Sequence, residues 1–450
     1  MSIPASSRLL YRCSLVLSLT LLAALRAPAQ TQIPDTPAGR TLSAWLQAFN
    51  SGDQAQLDAY YHKYQPSESA KDQMPFREQT GGFQLLQILK SEPLHIEFLI
   101  KEKLSDTHAL GKLDVKSGDP AEVANFSLRA RPPGASASQL NFTLDAATRT
   151  EVINTAIADL NEFYVSPEVA KQMSDAIRVR QQRGEYNSIT DGDAFADKLT
   201  TDLRDVSHDK HLRVDFSPVS IPKETSGPDP KAEAEYRKQM ERANCGFDKL
   251  EILPGDIGYV KFDFFADPNV CAPTVIAAMN FLANTDAIIF DLRENGGGDP
   301  AMVTFICSYL FDQPTHLNDL WTRKGNSTHQ YWTLPYVSGK RLATQPAYVL
   351  TSQRTFSGGE EFTYDLQQLK RATIVGEVTG GGAHPVGGHR INDHFEIGVP
   401  FATAINPTTH TSWEGTGVTP DVKVPAADAL STAQNLATKK LTSSKPSSGQ

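Results

Sequence analysis

An alternation of strand-like and helix-like segments is the feature that most constrains how this chain can fold. From Cys245 to Pro425, short apolar runs such as "YVKFDFF", "AIIFDL" and "AYVLTS" alternate with segments of helical periodicity such as "PTVIAAMNFLANT". Strands that alternate with helices predict βαβ units and a mostly parallel sheet. In such sheets ligands bind beyond the carboxyl ends of the strands. We therefore expect an α/β core over residues 245–425, with its functional site at that edge.

Two glycine-rich turns follow strands of this core. "ENGGGDP" precedes a helix but has neither the P-loop nor the dinucleotide-binding spacing. In "TFSGGEEF", Ser357 and Glu360 have the spacing of a helix capping box, yet the same position suits a nucleophile. The N–H groups of Gly358 and of Gly297 or Gly298 could bind an oxyanion. The turn alone leaves open whether Ser357 is a cap or a nucleophile.

The segments that flank the core differ from it in polarity and in the periodicity of their apolar residues. Residues 38–134 begin with amphipathic helices and continue with alternating strands, which predicts a small α+β domain that resembles the cone-shaped nuclear-transport-factor-2-like domains. Residues 145–219 form a helical part of the core domain, with Asp191 and Asp193 as plausible caps. Residues 220–244 are polar and form a linker or lid that contains a helix. Residues 426–450 are expected to be a disordered tail.

Residues 1–29 have the pattern of a secretory signal peptide. Arg8 and Arg12 precede an apolar run of twelve residues, and "APA" ends at Ala29. A membrane anchor is the alternative, but the run is short for a span. We expect cleavage near Ala29 and a secreted or periplasmic protein without a membrane span. Removing three arginines changes the net charge from −9 to −12, which opposes binding to nucleic acid or anionic lipid.

The cysteines and histidines predict no metal site. Cys245 and Cys271 could form a disulfide in an oxidising compartment, and Cys307 has the setting of a buried helical residue. The chain has no CxxC motif and no His/Cys cluster of zinc-binding spacing. His384, His389 and His394 are spread through a loop and strand region, so we do not expect them to be ligands.

Three segments in order carry a family resemblance: "FDLRENGGGDP", "YVLTSQRTFSGGEEFTYDLQQLKRATIVGEVTGGGAHP" and "WEGTGVTPDVKV". They resemble consecutive signatures of the C-terminal-processing (tail-specific) serine peptidases, a family that includes the tricorn core protease and the interphotoreceptor retinoid-binding protein repeats. The resemblance covers roughly residues 145–425. It implies a crotonase-like α/β core and a serine nucleophile at Ser357.

The resemblance also indicates how the serine would be activated. The tail-specific branch uses a lysine where this chain has Gly382, and no lysine occurs between Lys370 and Lys423. The tricorn branch uses a histidine and a glutamate instead, which by position are His211 and Glu414. His208 is the alternative base.

The sequence therefore predicts a serine peptidase with the triad Ser357, His211 and Glu414 and no cofactor. Its partner would be a peptide or protein substrate, since the serine needs only a base and an oxyanion hole to hydrolyse an amide. The alternative function is a hydrophobic-ligand carrier on the same fold, as in the retinoid-binding branch. The presence of all three triad residues favours the enzyme.

Overall fold

The structure is a computed structural model that describes residues 31–66, 70–131, 142–218, 220–221, 223 and 230–444. The chain divides into two compact units, Met1–Ala135 and Ser136–Gln450. The predicted signal peptide lies outside the described residues. Within the described ranges, no helix combines the length and the apolar character needed to cross a membrane.

The first unit has three helices followed by a four-stranded antiparallel meander in the order β1-β2-β3-β4. The helix α3 and the strand β1 were not predicted. Two shifts in the pairing of β1 with β2 interrupt the alternation of buried and exposed residues that would have indicated a strand. Stacked rings of Trp45, Phe49 and Phe83 form the centre of its core. The elements are α1 (Pro37–Ser51), α2 (Gln54–Tyr64), α3 (Ala70–Thr80), β1 (Phe83–Ser91), β2 (His95–Glu102), β3 (His108–Val115) and β4 (Val123–Arg131).

The second unit opens with three helices whose starts are fixed by side-chain caps. These helices are α4 (Ala146–Phe163), α5 (Pro167–Gln182) and α6 (Gly192–Ser207). Asp191 accepts a hydrogen bond from the N–H of Ala194, which confirms its predicted role as a cap. The next strand is β5 (Arg213–Phe216), which pairs with β14 (Phe395–Pro400) at the edge of a three-stranded sheet. The short loop between α6 and β5 contains His208 and His211.

A six-stranded mixed sheet forms the centre of the second unit, in the order β16-β12-β11-β8-β7-β6. Four of its strand pairings are parallel, and only the edge strand β6 runs antiparallel. Side chains of β8 alternate between two hydrophobic clusters, so this strand is buried on both faces. The strands are β6 (Phe247–Leu253), β7 (Ile257–Phe262), β8 (Ala287–Asp291), β11 (Ala347–Thr351), β12 (Ala372–Gly376) and β16 (Val422–Lys423).

Helices cover both faces of this sheet. Those on the first face are α8 (Pro268–Leu282), α9 (Pro300–Cys307) and α10 (Gly358–Gln368). Cys245 and Cys271 form a disulfide, with Cα atoms 5.7 Å apart, that ties the start of this region to α8. Cys307 is buried at the end of α9, as predicted. The helix α7 (Pro230–Arg242) lies within the predicted polar linker and buries no residue.

Residues 426–444 are ordered, contrary to that part of the predicted disordered tail over 426–450, whereas residues 445–450 lie outside the described residues. Ala429–Ser444 form the helix α11, which covers the second face of the sheet. Ala429, Ala433 and Ala437 are fully buried and four residues apart, so they bring one narrow stripe of the helix against the sheet. Because the stripe consists of alanines among polar residues, its apolar signal in the sequence is weak.

Two small sheets complete the second unit. One has the order β10-β9-β15, and the other is the sheet that contains β5. Neither was predicted as a sheet, because each joins segments that are distant in the sequence. Their remaining strands are β9 (His316–Thr322), β10 (Ser327–Trp332), β13 (Val386–Arg390), β14 (Phe395–Pro400) and β15 (Ala402–Ile405).

Candidate active site

Ser357 lies on the sharp turn between β11 and α10 in a backbone conformation that residues other than glycine rarely adopt. Its φ is +53° and its ψ is −121°. Such a conformation costs about 1–3 kcal/mol and persists where the surroundings enforce it, often at functional sites. A strained strand–turn–helix junction is also the setting in which α/β-hydrolases expose a nucleophilic serine. The local backbone therefore favours the second of the two roles predicted for Ser357.

Glu360 supplies the cap of α10 and ties two loops together. Its Oε2 accepts a hydrogen bond from the Ser357 N–H at 2.9 Å, which confirms the carboxylate half of the predicted capping box. The buried carboxylate also accepts hydrogen bonds from the N–H groups of Gly381 and Gly382 and from the Thr379 hydroxyl, at 2.5–2.8 Å. Burial raises the pKa of Glu360 despite these bonds. Glu360 thus holds the Ser357 turn against the loop that contains Gly382.

The second glycine-rich turn lies directly against Ser357. A Cβ atom added to Gly297 would lie 2.6 Å from Ser357 Cβ, and one on Gly358 would lie 3.1 Å from the Gly298 nitrogen. The Gly297 N–H already donates to Asn295 Oδ1 at 2.9 Å. The N–H groups of Gly298 and Gly358 have no hydrogen-bond acceptor in the described part of the chain. These two donors are therefore the pair that remains available for an oxyanion.

His211 is buried next to the Ser357 turn. Its ring lies 4.6 Å from the ring of Phe356, centroid to centroid, and its side chain is 11% exposed. Burial lowers the pKa of His211 from 6.5 to about 4, so the imidazole is neutral at pH 7. Its Nδ1 is buried without a hydrogen-bond partner and lies 3.9 Å from Asp209 Oδ1. A neutral imidazole is the form that can accept a proton.

Gly382 leaves the space that His211 occupies. A Cβ atom at this position would lie 2.3 Å from Phe356 Cζ and 2.6 Å from His211 Cε1, closer than any ordinary contact. A lysine at position 382, as in the tail-specific branch, would therefore compete with His211 for the same volume. Glycine at this position therefore leaves room for the His211 ring.

The acidic group beside His211 is Asp209, which sequence reasoning missed. Asp209 is fully buried, and its Oδ2 accepts hydrogen bonds from His384 Nδ1 at 2.8 Å and from the Tyr164 hydroxyl at 3.2 Å. Burial acts to raise the pKa of Asp209, but the His384 hydrogen bond and charge outweigh it and lower the pKa. Asp209 therefore lies between two histidines.

Glu414 contacts His384 and not His211. Glu414 Oε2 lies 3.6 Å from His384 Nδ1 and accepts a hydrogen bond from the Ala383 N–H at 2.5 Å. Burial acts to lower the pKa of His384, but its bond to Asp209 and the Glu414 charge outweigh burial and raise the pKa. Burial raises the pKa of Glu414 itself. A network of Asp209, His384 and Glu414 thus extends behind His211. Asp209 and His384 are 175 positions apart, so no local sequence pattern indicated this network.

The same three side chains are the group in the described chain that most resembles a metal-ligand set. One donor atom from each of Asp209, His384 and Glu414 lies within 4.8 Å of the others. His384 Nδ1, Asp209 Oδ2 and Glu414 Oε2 are each engaged in a hydrogen bond or a close ion pair with protein groups. These contacts join the three side chains in a network.

A cavity of about 340 Å³ unites most of the predicted residues. Its lining includes Ser357, His211, Gly298 and Gly358. His208, the alternative base, does not line it. His208 instead ends α6 in a left-handed conformation, with φ +56°. Geometry thus separates the two histidines that the sequence left as alternatives.

Two segments of the chain match models of known protein families. A model described as peptidase family S41 matches residues 256–424, and one described as the N-terminal domain of that peptidase in eukaryotic IRBP matches residues 143–244. Residues 256–424 are therefore similar to family S41 peptidase domains. Residues 143–244, which precede them, are similar to the N-terminal domain of that peptidase in eukaryotic IRBP.

The similar proteins include a carboxyl-terminal-processing peptidase. This chain is 27% identical over 195 residues to the chloroplastic carboxyl-terminal-processing peptidase 2 of Arabidopsis thaliana. The match covers 38% of this chain and 34% of that protein, so the chain spans about a third of the relative's length.

Solved structures with similarity to the chain include two proteases. The photosystem II D1 C-terminal processing protease is 16% identical over 63% of this chain and 94% of its own, with a TM-score of 0.40. The tricorn protease is 15% identical over 80% and 46%, with a TM-score of 0.43. A lipoprotein from Streptococcus agalactiae is 13% identical over 67% and 100%, with a TM-score of 0.45.

Proposed function

We propose that this chain is a secreted serine peptidase in which Ser357 is the nucleophile and His211 the general base. The observation that carries the proposal is that one cavity is lined by Ser357, His211 and the two glycines with free N–H groups. A serine hydroxyl is a weak nucleophile that needs an adjacent base, and a neutral buried histidine can serve as one.

The reaction follows from these positions. Ser357 Oγ attacks the peptide carbonyl carbon while its proton passes to His211, and the carbonyl oxygen becomes an oxyanion. The N–H groups of Gly298 and Gly358 bind that oxyanion, and losing one such donor costs about 3 kcal/mol. His211 then returns the proton to the leaving amine. Water hydrolyses the acyl-enzyme by the same two proton transfers.

Carboxylates behind His211 would stabilise the imidazolium form. Asp209 faces Nδ1, which leaves Nε2 for the serine, and its charge raises the pKa of His211 against the effect of burial. Apo distances between catalytic groups are often long and shorten when substrate binds. Glu414, the acid predicted from the sequence, would act through His384 by holding Asp209 in place. We propose that both carboxylates orient the base.

Secretion is a further part of the proposal. It is supported by the signal-peptide pattern of residues 1–29 and by the disulfide between Cys245 and Cys271, since disulfides persist in oxidising compartments. The crotonase-like description of the core is proposed on the family resemblance. The first unit would bind a partner or recruit substrate, which deletion of residues 30–134 would test through substrate preference.

Hydrolysis of a peptide library by the protein beginning at Gln30 tests the proposal. We expect time-dependent cleavage, identified by mass spectrometry of the products, that Ser357→Ala abolishes. Ser431→Ala, in the exposed face of α11, is the matched control and should cleave at the wild-type rate. If no peptide is cleaved, or if Ser357→Ala cleaves as the wild type does, the enzyme proposal fails. Binding of a hydrophobic ligand without cleavage would then favour the carrier.

A further inference from the structure

The cavity beside Ser357 has an acidic side chain in an otherwise apolar and neutral wall. Most of its other lining residues are apolar, among them Leu320, Ala404 and Trp413. Among the described residues that line it there is no lysine or arginine, and His211 is the one side chain able to carry a positive charge. The acidic residue is Glu361, on the first turn of α10.

Glu361 is buried without a counter-ion. It is 6% exposed, and the one hydrogen bond that its carboxylate receives within the described chain comes from Asn318 Nδ2, at 3.3 Å. Burial raises the pKa of Glu361 to about 7, and the charge of Asp299 acts in the same direction. A buried carboxylate without a cation is costly, and proteins normally pair such a group or leave it protonated.

A second acceptor in the same wall has no hydrogen-bond donor among the described residues. Asn318, on β9, is 1% exposed, and its Oδ1 is buried without a hydrogen-bond donor. Its side-chain N–H donates to Glu361, so the acceptor Oδ1 of the same amide points elsewhere and has no donor in the described chain. Buried polar atoms normally have partners, and each exception calls for an explanation. Glu361 and Asn318 Oδ1 are neighbouring acceptors in the cavity wall, and no lysine or arginine lines this cavity among the described residues. They are therefore complementary to a ligand that brings donors and a positive charge.

Asp365, one helical turn beyond Glu361, adds to the acidity of this region. Asp365 is fully buried, and burial followed by the charge on Glu361 raises its pKa well above the usual range. Ionising both of two neighbouring buried carboxylates costs free energy because the two negative charges repel each other. A cation beside them favours the ionised forms. A cationic ligand would therefore gain a full charge partner in Glu361 when it binds.

We propose that this cavity is a cation subsite that takes the side chain of lysine or arginine from the residue that supplies the scissile carbonyl. The proposal rests on the proposed function for its placement, because the bound side chain must be attached next to the carbonyl held at Ser357. An ammonium or guanidinium group would donate to Glu361 and to Asn318 Oδ1, while the alkyl stem would lie along the apolar wall.

Matched substrates test the subsite in the wild-type protein. Peptides that differ only in having lysine or norleucine at the scissile position have side chains of similar length, one with and one without the ammonium group. We expect kcat/KM for lysine to exceed that for norleucine by about 30-fold or more, the effect of losing one partner of a buried charge pair. In Glu361→Gln the ratio should fall to within a few-fold of one. Glu162→Gln, an exposed glutamate paired with Lys324, should keep the wild-type ratio.

Small cations separate failure of the subsite from failure of the enzyme proposal. n-Pentylammonium and benzamidinium should bind Ser357→Ala in calorimetric titrations. The neutral ligand 1-pentanol should bind the same protein at least tenfold more weakly than n-pentylammonium. Adding Glu361→Gln should weaken binding of the two cations by at least tenfold. If the cations bind in this way but no peptide is cleaved, the subsite stands and the peptidase proposal fails. If peptides are cleaved with equal kcat/KM for lysine and norleucine, or if Glu361→Gln keeps the preference, the subsite proposal is overturned.

Discussion

Replacing Gly382 by alanine should displace the proposed base with little change in the backbone. The added Cβ would lie 2.3 Å from Phe356 Cζ and 2.6 Å from His211 Cε1, whereas ordinary contacts begin at 3.4 Å. Each ring must therefore move by roughly 1 Å, and a misplacement of 1 Å can cost about 10²-fold in rate. Overpacking of this kind typically costs about 1–3 kcal/mol of the free energy of unfolding.

The assay for Gly382→Ala is kcat/KM for a cleaved peptide, measured beside urea unfolding of the same sample. Gly388→Ala is the matched control, because a Cβ atom there meets nothing within 4 Å and Gly388, like Gly382, does not have a positive φ. We expect about a 10²-fold loss for Gly382→Ala and wild-type activity for Gly388→Ala. A folded Gly382→Ala protein with wild-type kcat/KM would refute the reasoning that His211 must occupy this space.

Three further predictions follow from the contacts around the site and from α11. In the pH profile of kcat/KM, activity should fall below about pH 4, because the lowered pKa of His211 keeps its imidazole neutral above that pH. The charge of His384 acts to lower the pKa of His211. His384→Gln removes that charge, so the fall in activity should move to higher pH. Glu360→Ala should destabilise the fold by about 3 kcal/mol or more in urea unfolding, because several buried N–H groups lose their acceptor; Glu360→Gln, which keeps one acceptor, should lose less. Ala433→Leu should cost about 1–3 kcal/mol by overpacking the helix against the sheet, whereas Asn435→Leu on the exposed face should be near neutral.

Local features of this chain could be predicted from the sequence because neighbouring residues determine them. The turn at Ser357, the cap at Glu360 and the cap at Asp191 each depend on residues within four positions. The alternation of strands and helices gave the mixed α/β core for the same reason. The pairing of Cys245 with Cys271 needed only two cysteines in a short segment.

Features that depend on distant residues could not be predicted in this way. Asp209 and His384 are 175 positions apart, and nothing in either segment reveals that their side chains bond. The side-chain N–H of Asn318 donates to Glu361 across 43 positions, from a strand of a sheet that the local pattern did not indicate. The helix α11 was missed because small alanine contacts, and not a strong apolar stripe, hold it to the sheet.

The most direct test of the central claim is to locate the adduct of a fluorophosphonate probe by tandem mass spectrometry. The account predicts one adduct per molecule, on Ser357, and at least a 10²-fold slower labelling rate in His211→Gln, since general-base catalysis typically contributes about 10²–10⁴-fold. A folded protein that reacts at another serine, or that labels Ser357 equally fast without His211, would contradict it.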